Sequence, residues 1–187
     1  MKRFLVFGFG FALLAALSGR ALAWGAGFTI TMTPTGARGV LIDSSTAVLS
    51  LGDIAMGGST RTVTAIDVTS TGTIAGIEYD IKASVTGGAA LSTDLTILNT
   101  ELLLQAKFNS VDPDGTGDDY AATDVVDAVD EGAGSAGADT SFEGDVDVDN
   151  LNLYETRKLW CKITLPPATQ YSGEQTIAVT ITADVTD

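Results

Sequence analysis

Histidine is absent from this sequence of 187 residues, and cysteine occurs only once, at position 161. The lack of histidine excludes ordinary zinc sites as well as Ser-His-Asp and Cys-His nucleophilic machinery. A single cysteine cannot form an intramolecular disulfide. Cys161 shares one apolar strand face with Leu159 and Ile163, which predicts a buried and unreactive thiol. The fold must therefore be held by its core, with or without bound cations.

Basic residues are also scarce, and three of the ten lie within the first 20 positions. Two of these precede an apolar run at 4–17, and the run is followed by ALA at 21–23, with small residues at the two positions that a signal peptidase reads. This pattern is typical of a secretory signal peptide. The run of about 14 residues is shorter than the roughly 20 that a membrane span requires. We therefore predict a signal peptide at 1–23. The mature chain, 24–187, is expected to be secreted to the cell surface or the periplasm without membrane insertion.

The predicted mature chain is strongly acidic. It has seven basic and 24 acidic residues, so its net charge is −17, compared with −14 for the whole sequence. Nucleic acid and anionic membrane surfaces repel such a chain, which excludes both as primary partners. Cations, cationic polymers, neutral glycans and further copies of the chain remain as candidates.

Apolar and polar residues alternate along most of the mature chain, as in strands with one buried and one exposed face. Glycine-rich and proline-rich punctuation separates these segments and marks turns, and long helical patterns are missing. The sequence therefore predicts a single all-β domain at 24–187, an antiparallel immunoglobulin-like β-sandwich of about seven to nine strands. The strongest strand patterns lie at 28–33, 77–86, 159–165 and 177–186, and weaker ones at 47–51, 61–69, 95–98 and 102–108.

One segment, 110–150, interrupts this order. It carries 13 acidic residues and neither lysine nor arginine. Its apolar residues Ala122, Val125, Val126 and Val129 recur at helical spacing, although a helix this short is marginal and valines suit an extended strand equally well. We predict a long acidic insertion on the sandwich rather than a second domain. Segments of this length without regular structure tend to be functional or disordered.

Two groups of aspartates at the ends of this insertion predict a calcium site. The stretch DPDGTGDD, 112–119, combines carboxylates with glycines that let the backbone curl, and calcium takes six to eight such oxygen ligands. In DVDVDN, 145–150, the aspartates alternate and project from one face of an extended chain. Their mutual repulsion favours bound cations, and the alternative is a solvated acidic turn that holds no ion. The candidate ligands are Asp112, Asp114, Asp118, Asp119, Asp145, Asp147 and Asp149.

Two further passages resemble exported bacterial surface proteins that have an immunoglobulin-like sandwich. The first, SLGDIAMGGSTRTVTAIDVTSTGTIAGIEYDIKAS at 50–84, is similar to a strand ending in glycine, a short turn and a V-x-V-x-N-x-G strand, with Thr69 or Ser70 at the asparagine position. The second, LWCKITLPPATQYSGEQTIAVTITADV at 159–185, resembles the last hairpin of small exported surface proteins. Self-assembling fibre subunits of the camelysin type are among them. The resemblance implies a surface, adhesive or filament-building role and transfers no catalytic residue.

We expect a non-enzymatic cell-surface structural or filament-forming subunit that associates with itself or with other surface proteins. The alternative is a calcium-dependent adhesion module that binds a glycan or a protein through Trp160, Tyr154 and Tyr171, although Trp160 fits better as a cover over one sheet. No enzyme is expected. A glycosidase places two carboxyl groups in an apolar, aromatic-lined cleft, and the only aromatic residues of the insertion are Tyr120 and Phe142.

The strand at 28–33 follows the predicted cleavage site after only four residues. It either pairs within its own sandwich or adds to an exposed sheet edge of a neighbouring copy. An unpaired N-terminal strand or an open sheet edge would favour assembly. Exposed aromatic residues beside the acidic insertion would favour the binding module.

Overall fold

The computed structural model describes residues 27–35, 39–43, 48–71, 76–113, 119–128, 131–132, 142–146, 148, 150–168 and 174–185. The predicted signal peptide lies outside these ranges. Among the residues that are described, no helix is long and apolar enough to cross a membrane.

The described chain forms eleven β-strands and one turn of 3₁₀ helix at Ala122–Asp124. Seven strands have five or more residues, and the other four have two or three. In chain order they are β1 (Gly27–Thr35), β2 (Val40–Ile42), β3 (Val48–Asp53), β4 (Ser59–Arg61), β5 (Ile66–Ser70), β6 (Ile77–Thr86), β7 (Ala90–Leu91), β8 (Glu101–Phe108), β9 (Glu131–Gly132), β10 (Thr156–Thr164) and β11 (Gln175–Val185).

The strands build two sheets. Sheet I has the order β3-β1-β11-β6-β9, and sheet II has the order β2-β5-β10-β8-β7, with β4 paired to β10. The prediction of an all-β fold is confirmed. The prediction of purely antiparallel sheets is wrong, because β1 pairs parallel with β11 and β7 pairs parallel with β8. The last two long strands, β10 and β11, lie in different sheets, whereas the last two strands of an immunoglobulin domain are neighbours in one sheet.

Alternating apolar side chains from both sheets form one core. The stacked rings of Tyr79 on β6 and Phe108 on β8, with centroids 5.6 Å apart, join the two sheets directly. Burial of one large aliphatic side chain stabilises a fold by about 1.5–3 kcal/mol, so the inward faces account for much of the stability. The fully buried members include Ile30, Ile66, Val68, Ile81, Leu104, Ala106, Leu159, Ile163, Ile177, Val179 and Ile181.

Cys161 also faces this core and is completely buried. Burial raises the pKa of its thiol to about 12, because the charged thiolate would lose its hydration. The predicted buried position is therefore confirmed. The thiol stays protonated at neutral pH.

Two predicted strands differ from the structure. The strand expected at 61–69 is divided into β4 and β5, which both pair with β10 on either side of a bulge at 62–65. Four residues of the bulge stand opposite two of β10, so Val63 is pushed out and is 92% exposed. The segment expected as a strand at 95–98 lies in the loop between β7 and β8. The Ser92 hydroxyl lies 3.0 and 2.9 Å from the carbonyl oxygens of Asp94 and Thr96 in that loop.

Candidate functional site: the acidic insertion

The acidic insertion, 110–150, closes one side of the sandwich. On sheet II, the backbone N–H of Val126 donates to the Leu104 carbonyl at 2.9 Å, and Phe108 N–H donates to the Phe142 carbonyl at 2.7 Å. On sheet I, β9 pairs with β6, and Tyr79 N–H donates to the Val148 carbonyl at 3.3 Å. The insertion therefore supplies backbone partners to the outer edges of β6 and β8. Its described parts are structural elements of the sandwich, not an appendage.

Apolar anchors hold these backbone contacts in place. Val126, Phe142 and Val148 are completely buried and belong to the same core cluster as the strand residues. Phe142 adopts a positive φ of 63°, a conformation that costs a non-glycine residue free energy and persists only when its surroundings enforce it. The sequence left open whether this part of the insertion is a helix or a strand. The structure has a single 3₁₀ turn at Ala122–Asp124, and the chain is then extended at Val125, which makes an antiparallel bridge with Gln105.

The first part of the insertion, together with Asn109, covers the outer face of sheet II. Trp160 on that face is nearly buried, and its indole N–H donates to the Asn109 carbonyl at 3.0 Å. The Gln105 side chain donates to the Ala121 carbonyl at 2.8 Å, and Lys107 Nζ donates to the Asp119 carbonyl at 3.2 Å. Trp160 thus lies nearly buried against sheet II, as its sequence position indicates, and bonds the residue that precedes the insertion.

A buried ion pair fixes this cover to the sheet. Lys107 Nζ lies 3.6 Å from Asp124 Oδ2, and the side chains are only 6% and 1% exposed. The same carboxylate oxygen accepts the backbone N–H of Ala121 at 2.6 Å. Burial of two charges is costly unless they are paired and hydrogen-bonded, and here each has both kinds of partner.

Basic residues from strands outside the insertion also meet its surface. Arg61 on β4 donates to Asp112 Oδ2 at 3.0 Å in a half-exposed ion pair. Lys162 Nζ on β10 lies 5.5 Å from the ring centroid of Tyr120, within reach of a cation–π attraction. Burial is the main cause that raises the pKa of Tyr120 well above its usual value. The insertion contains neither lysine nor arginine, but the fold brings basic side chains from β4, β8 and β10 to its carboxylates and to the ring of Tyr120.

A compact hydrogen-bond cluster joins the two ends of the insertion. Both the N–H and the hydroxyl of Ser110 donate to the carboxylate of Asp145, and these bonds are the main reason that the pKa of Asp145 is lowered. The N–H of Asp145 donates to Asn109 Oδ1 at 2.7 Å, and Asn109 Nδ2 donates to the Val111 carbonyl at 3.0 Å. The carboxylate of Asp145 therefore accepts hydrogen bonds from Ser110 at the start of the insertion.

Three of the seven predicted calcium ligands fall within the described residues. Asp112 bonds Arg61, the carbonyl of Asp119 accepts Lys107, and Asp145 bonds Ser110. In the part of the chain that the structure describes, no three acidic, histidine or cysteine side chains form a group that could hold a metal ion. The other four candidates, Asp114, Asp118, Asp147 and Asp149, lie outside the described ranges, so the calcium site stays a prediction.

Two of the three candidate aromatic residues for ligand binding fall within the described residues. Trp160 is buried, Tyr171 lies outside the described residues, and Tyr154 is 74% exposed. Tyr154 has a φ of 61° in the turn that leads into β10, and its N–H donates to the Ser70 carbonyl at 2.9 Å. Glu155 in the same turn pairs with Arg157 at 2.7 Å. The turn therefore holds one exposed tyrosine in a fixed position.

No protein-family model matches this sequence, and no curated protein is similar to it at a significant level.

Proposed function

We propose that this chain is a secreted, non-enzymatic structural subunit of the cell surface that associates with itself to form filaments. The strongest support for this proposal is that the strand edges are covered on one side of the sandwich and open on the other. The insertion covers the outer edges of β6 and β8, whereas β3 ends sheet I on the opposite side without a further strand among the described residues. An open strand edge presents unpaired N–H and C=O groups to another chain.

The remaining sheet edges in the described chain are blunted. The outer strands β2, β7 and β9 have only two or three residues each, and β4 is equally short and ends in a bulge. Short edge strands and bulges are devices that prevent pairing between chains. β3 has six residues, with neither lysine nor proline among them. Its pairing with β1 is irregular at Leu51, an extra residue between Ser50 and Gly52, but Leu49 and Leu51 still lie on the same face of the strand. Among the described strands it is the edge best suited to pairing with another chain.

The N-terminal strand does not provide the assembly contact in this conformation. β1 lies between β3 and β11 and is paired on both sides, with Phe28 opposite Gln175 on β11 and Ile30 opposite Leu49 on β3. Of the two alternatives that the sequence left open, β1 adopts pairing within its own sandwich. The edge of β3 therefore offers one contact for the proposed self-association, and the growth of a filament needs a further one.

Cations contribute to the proposed assembly in two ways. With a net charge of −17, copies of the mature chain repel one another, and salt screens that repulsion over a distance of about 8–10 Å. Calcium bound by the aspartates of 112–119 and 145–149 would neutralise the insertion further. We expect assembly to increase with ionic strength and to increase more with calcium.

Particle size tests this proposal. The mature chain, 24–187, is examined by light scattering and electron microscopy in low salt, in sodium chloride, in calcium chloride and with a chelator. Particles larger than a monomer that grow with salt and calcium are expected. A chain that stays monomeric in every condition contradicts the proposed assembly.

A second candidate function, glycan or protein binding, is favoured by the exposed ring of Tyr154. A groove of about 390 Å³ on the outer face of sheet II is lined by hydroxyl and carboxylate groups as well as by Leu41 and Ile42. Such groups accept and donate hydrogen bonds to sugar hydroxyls, and an exposed ring offers a stacking surface. The polar residues of the groove are Asp43, Asp67, Thr69 and Thr156.

Titration calorimetry with neutral oligosaccharides tests this second function. Tyr154→Ala and Asp67→Asn should each weaken binding at least about tenfold if the ring and the groove act together. Leu98→Ala, at another exposed apolar position, serves as the control that leaves binding unchanged. Equal affinity of all variants, or heat signals no larger than dilution, would contradict the binding function.

A further inference from the structure

The outer edge of β3 lies beside a groove with a mixed apolar and polar lining. Leu49 and Leu51 on β3 are half-buried and pack against the core, whereas Ser50 between them is exposed. The groove between β3 and the β4 bulge is lined by these three residues and by Thr60, Arg61, Thr62, Val63 and Thr64. Val63, the most exposed large apolar residue in the described chain, is part of this lining. A strand added to β3 would cover the outer sides of both leucines and part of Val63.

We propose that β3 pairs antiparallel with β3 of a second copy of this chain, about a twofold axis at Ser50, so that the two copies share one continuous sheet. The inference rests on the proposed self-association and names the surface and the register that carry it. An isologous contact of this kind uses the same patch on both copies and therefore needs no second surface.

The leucines select the register. Successive side chains of a strand point to opposite faces of the sheet. In the shared sheet, each core-facing residue of one β3 must therefore lie opposite a core-facing residue of the other, because only then do both cores lie on the same side. With Ser50 opposite its own counterpart, Leu49 of each copy lies opposite Leu51 of the other. Both cross-strand pairs are then apolar. If the register shifts by one step that keeps the faces matched, Leu49 comes opposite Asp53, or a leucine extends beyond the described end of β3. In either case one leucine pair replaces two.

Charge favours a second copy as the occupant. The stretch Val48–Gly52 carries no ionisable side chain in a chain whose net charge is −17 after signal removal. In the Ser50-centred register, the two Asp53 residues are six residues apart along the strands, which is roughly 20 Å. That separation is about twice the screening length at physiological salt. Two strongly acidic copies can therefore meet along this edge without opposing carboxylates.

The pairing closes on itself and gives a dimer, because a twofold contact leaves neither β3 edge free. Filament growth requires another contact between dimers. The dimer contact and the filament can therefore succeed or fail separately.

Cysteine cross-linking tests the register in the full chain, expressed with export and natural processing. In antiparallel strands, directly opposite Cα atoms are about 4.5–5.5 Å apart, within the range that a disulfide spans. Ser50→Cys should therefore form a covalent dimer under mild oxidation. Ser84→Cys, at an exposed serine on the same sheet face but on the interior strand β6, is the matched control and should not. Cys161 is buried and does not compete.

A charge substitution tests the same contact without covalent cross-linking. Ser50→Asp places two carboxylates opposite each other, and Ser50→Asn is its neutral counterpart of similar size. Sedimentation should show a dimer dissociation constant at least about fivefold weaker for Ser50→Asp than for Ser50→Asn at low salt, with the gap narrowing as salt rises. Both substitutions are at an exposed side chain, and a circular dichroism melt verifies that each variant folds.

The outcomes separate the dimer contact from the proposed function. Cross-linking of Ser50→Cys alone, together with the charge effect, supports the β3 contact, even if no particle exceeds a dimer. Large particles without Ser50 cross-linking leave the proposed function intact and overturn this contact. Equal cross-linking of Ser50→Cys and Ser84→Cys also overturns it, because random collisions would then explain the product.

Discussion

Lys107 and Asp124 show how single side chains hold an acidic segment against a sheet. Both are almost fully buried, 3.6 Å apart, and each has a further hydrogen bond to the backbone of the insertion. Breaking a buried pair leaves one charge without compensation, which costs about 3–5 kcal/mol. The pair therefore has a larger effect on stability than the half-exposed bridges of the surface.

Lys107→Met should lower the free energy of unfolding by about 3–5 kcal/mol, because Asp124 is then left as an unpaired buried carboxylate. Urea denaturation measures the loss. Arg157→Met, which removes the partly exposed bridge to Glu155, is the matched control and should cost at most about 1 kcal/mol. The double variant Lys107→Met/Asp124→Leu should recover stability relative to Lys107→Met alone. Equal costs for the two single variants would contradict a special role of the buried pair.

Asp145 should make stability depend on acid pH. Hydrogen bonds from Ser110 lower its pKa below the ordinary value of 3.8, so its contribution is complete above that pH. It is lost as the pH falls through the lower folded-state pKa, because the unfolded chain then binds the proton more readily. The unfolding free energy of Asp145→Asn, measured from pH 6 down to pH 2, should fall less steeply below about pH 4 than that of the native chain. Parallel curves for the two proteins would show that Asp145 contributes nothing.

At the scale of elements, the insertion is tied to the sandwich by apolar residues as much as by charge. Val126, Phe142 and Val148 enter the core, and backbone bonds from the same segments extend along β6 and β8. The acidic insertion is therefore held in place where its buried apolar residues join the core that the strands form.

Val126→Ala should lower the free energy of unfolding by about 2 kcal/mol, because it removes buried methyl groups and leaves a cavity. Val63→Ala is the same substitution at a side chain that is 92% exposed, and it should change stability by no more than about 0.5 kcal/mol. Thermal and urea denaturation of the two variants compare them directly. A cost below about 0.5 kcal/mol for Val126→Ala would mean that the insertion does not share the core.

The long strands could be predicted from sequence because alternation is a local signal. β6, β10 and β11 carry it over nine or more residues each. The division of β4 from β5 could not be predicted, because the bulge is defined by its partner β10 and not by the residues 62–65 themselves. The parallel pairing of β1 and β11 likewise depends on positions 147 residues apart, such as Phe28 and Gln175.

For the candidate site, composition indicated an acidic insertion but not the residues that compensate it. Arg61 and Asp112 are 51 positions apart, so only the fold brings them together. A weak signal was present in β8, whose outward positions Gln105 and Lys107 are polar, although the rest of the strand after Glu101 is apolar. The structure shows that both are buried by the insertion and donate to its backbone.

At the scale of the whole molecule, the net charge of −14, or −17 for the predicted mature chain, makes stability sensitive to ions. Calcium chloride should raise the melting temperature more than sodium chloride of equal ionic strength, since screening is then matched and only binding differs. With calcium at about 10 mM and a dissociation constant on the order of 10⁻³ M, one site adds roughly 1.4 kcal/mol, or about 3–6 °C. Calorimetry of the mature chain measures the shift.

The control for this experiment is a pair of charge-matched variants. Asp114→Asn/Asp118→Asn removes two candidate ligands, and Asp53→Asn/Asp94→Asn removes two carboxylates elsewhere. Only the first should abolish the difference between calcium and sodium. Identical melting temperatures in both salts for the unmodified chain would contradict a structural calcium ion.

The position of β11 governs the order in which the fold can form. β11 is the last of the described strands, yet it lies between β1 and β6 near the middle of sheet I. Until these final residues are available, β1 and β6 have no strand to join them, and sheet I cannot close. Pairing across so long a stretch of sequence is slow, on the millisecond-to-second scale of proteins dominated by non-local contacts. Sheet I therefore cannot form completely before β11 has been synthesised, whereas the pairing of β5, β10 and β8 in sheet II does not involve β11.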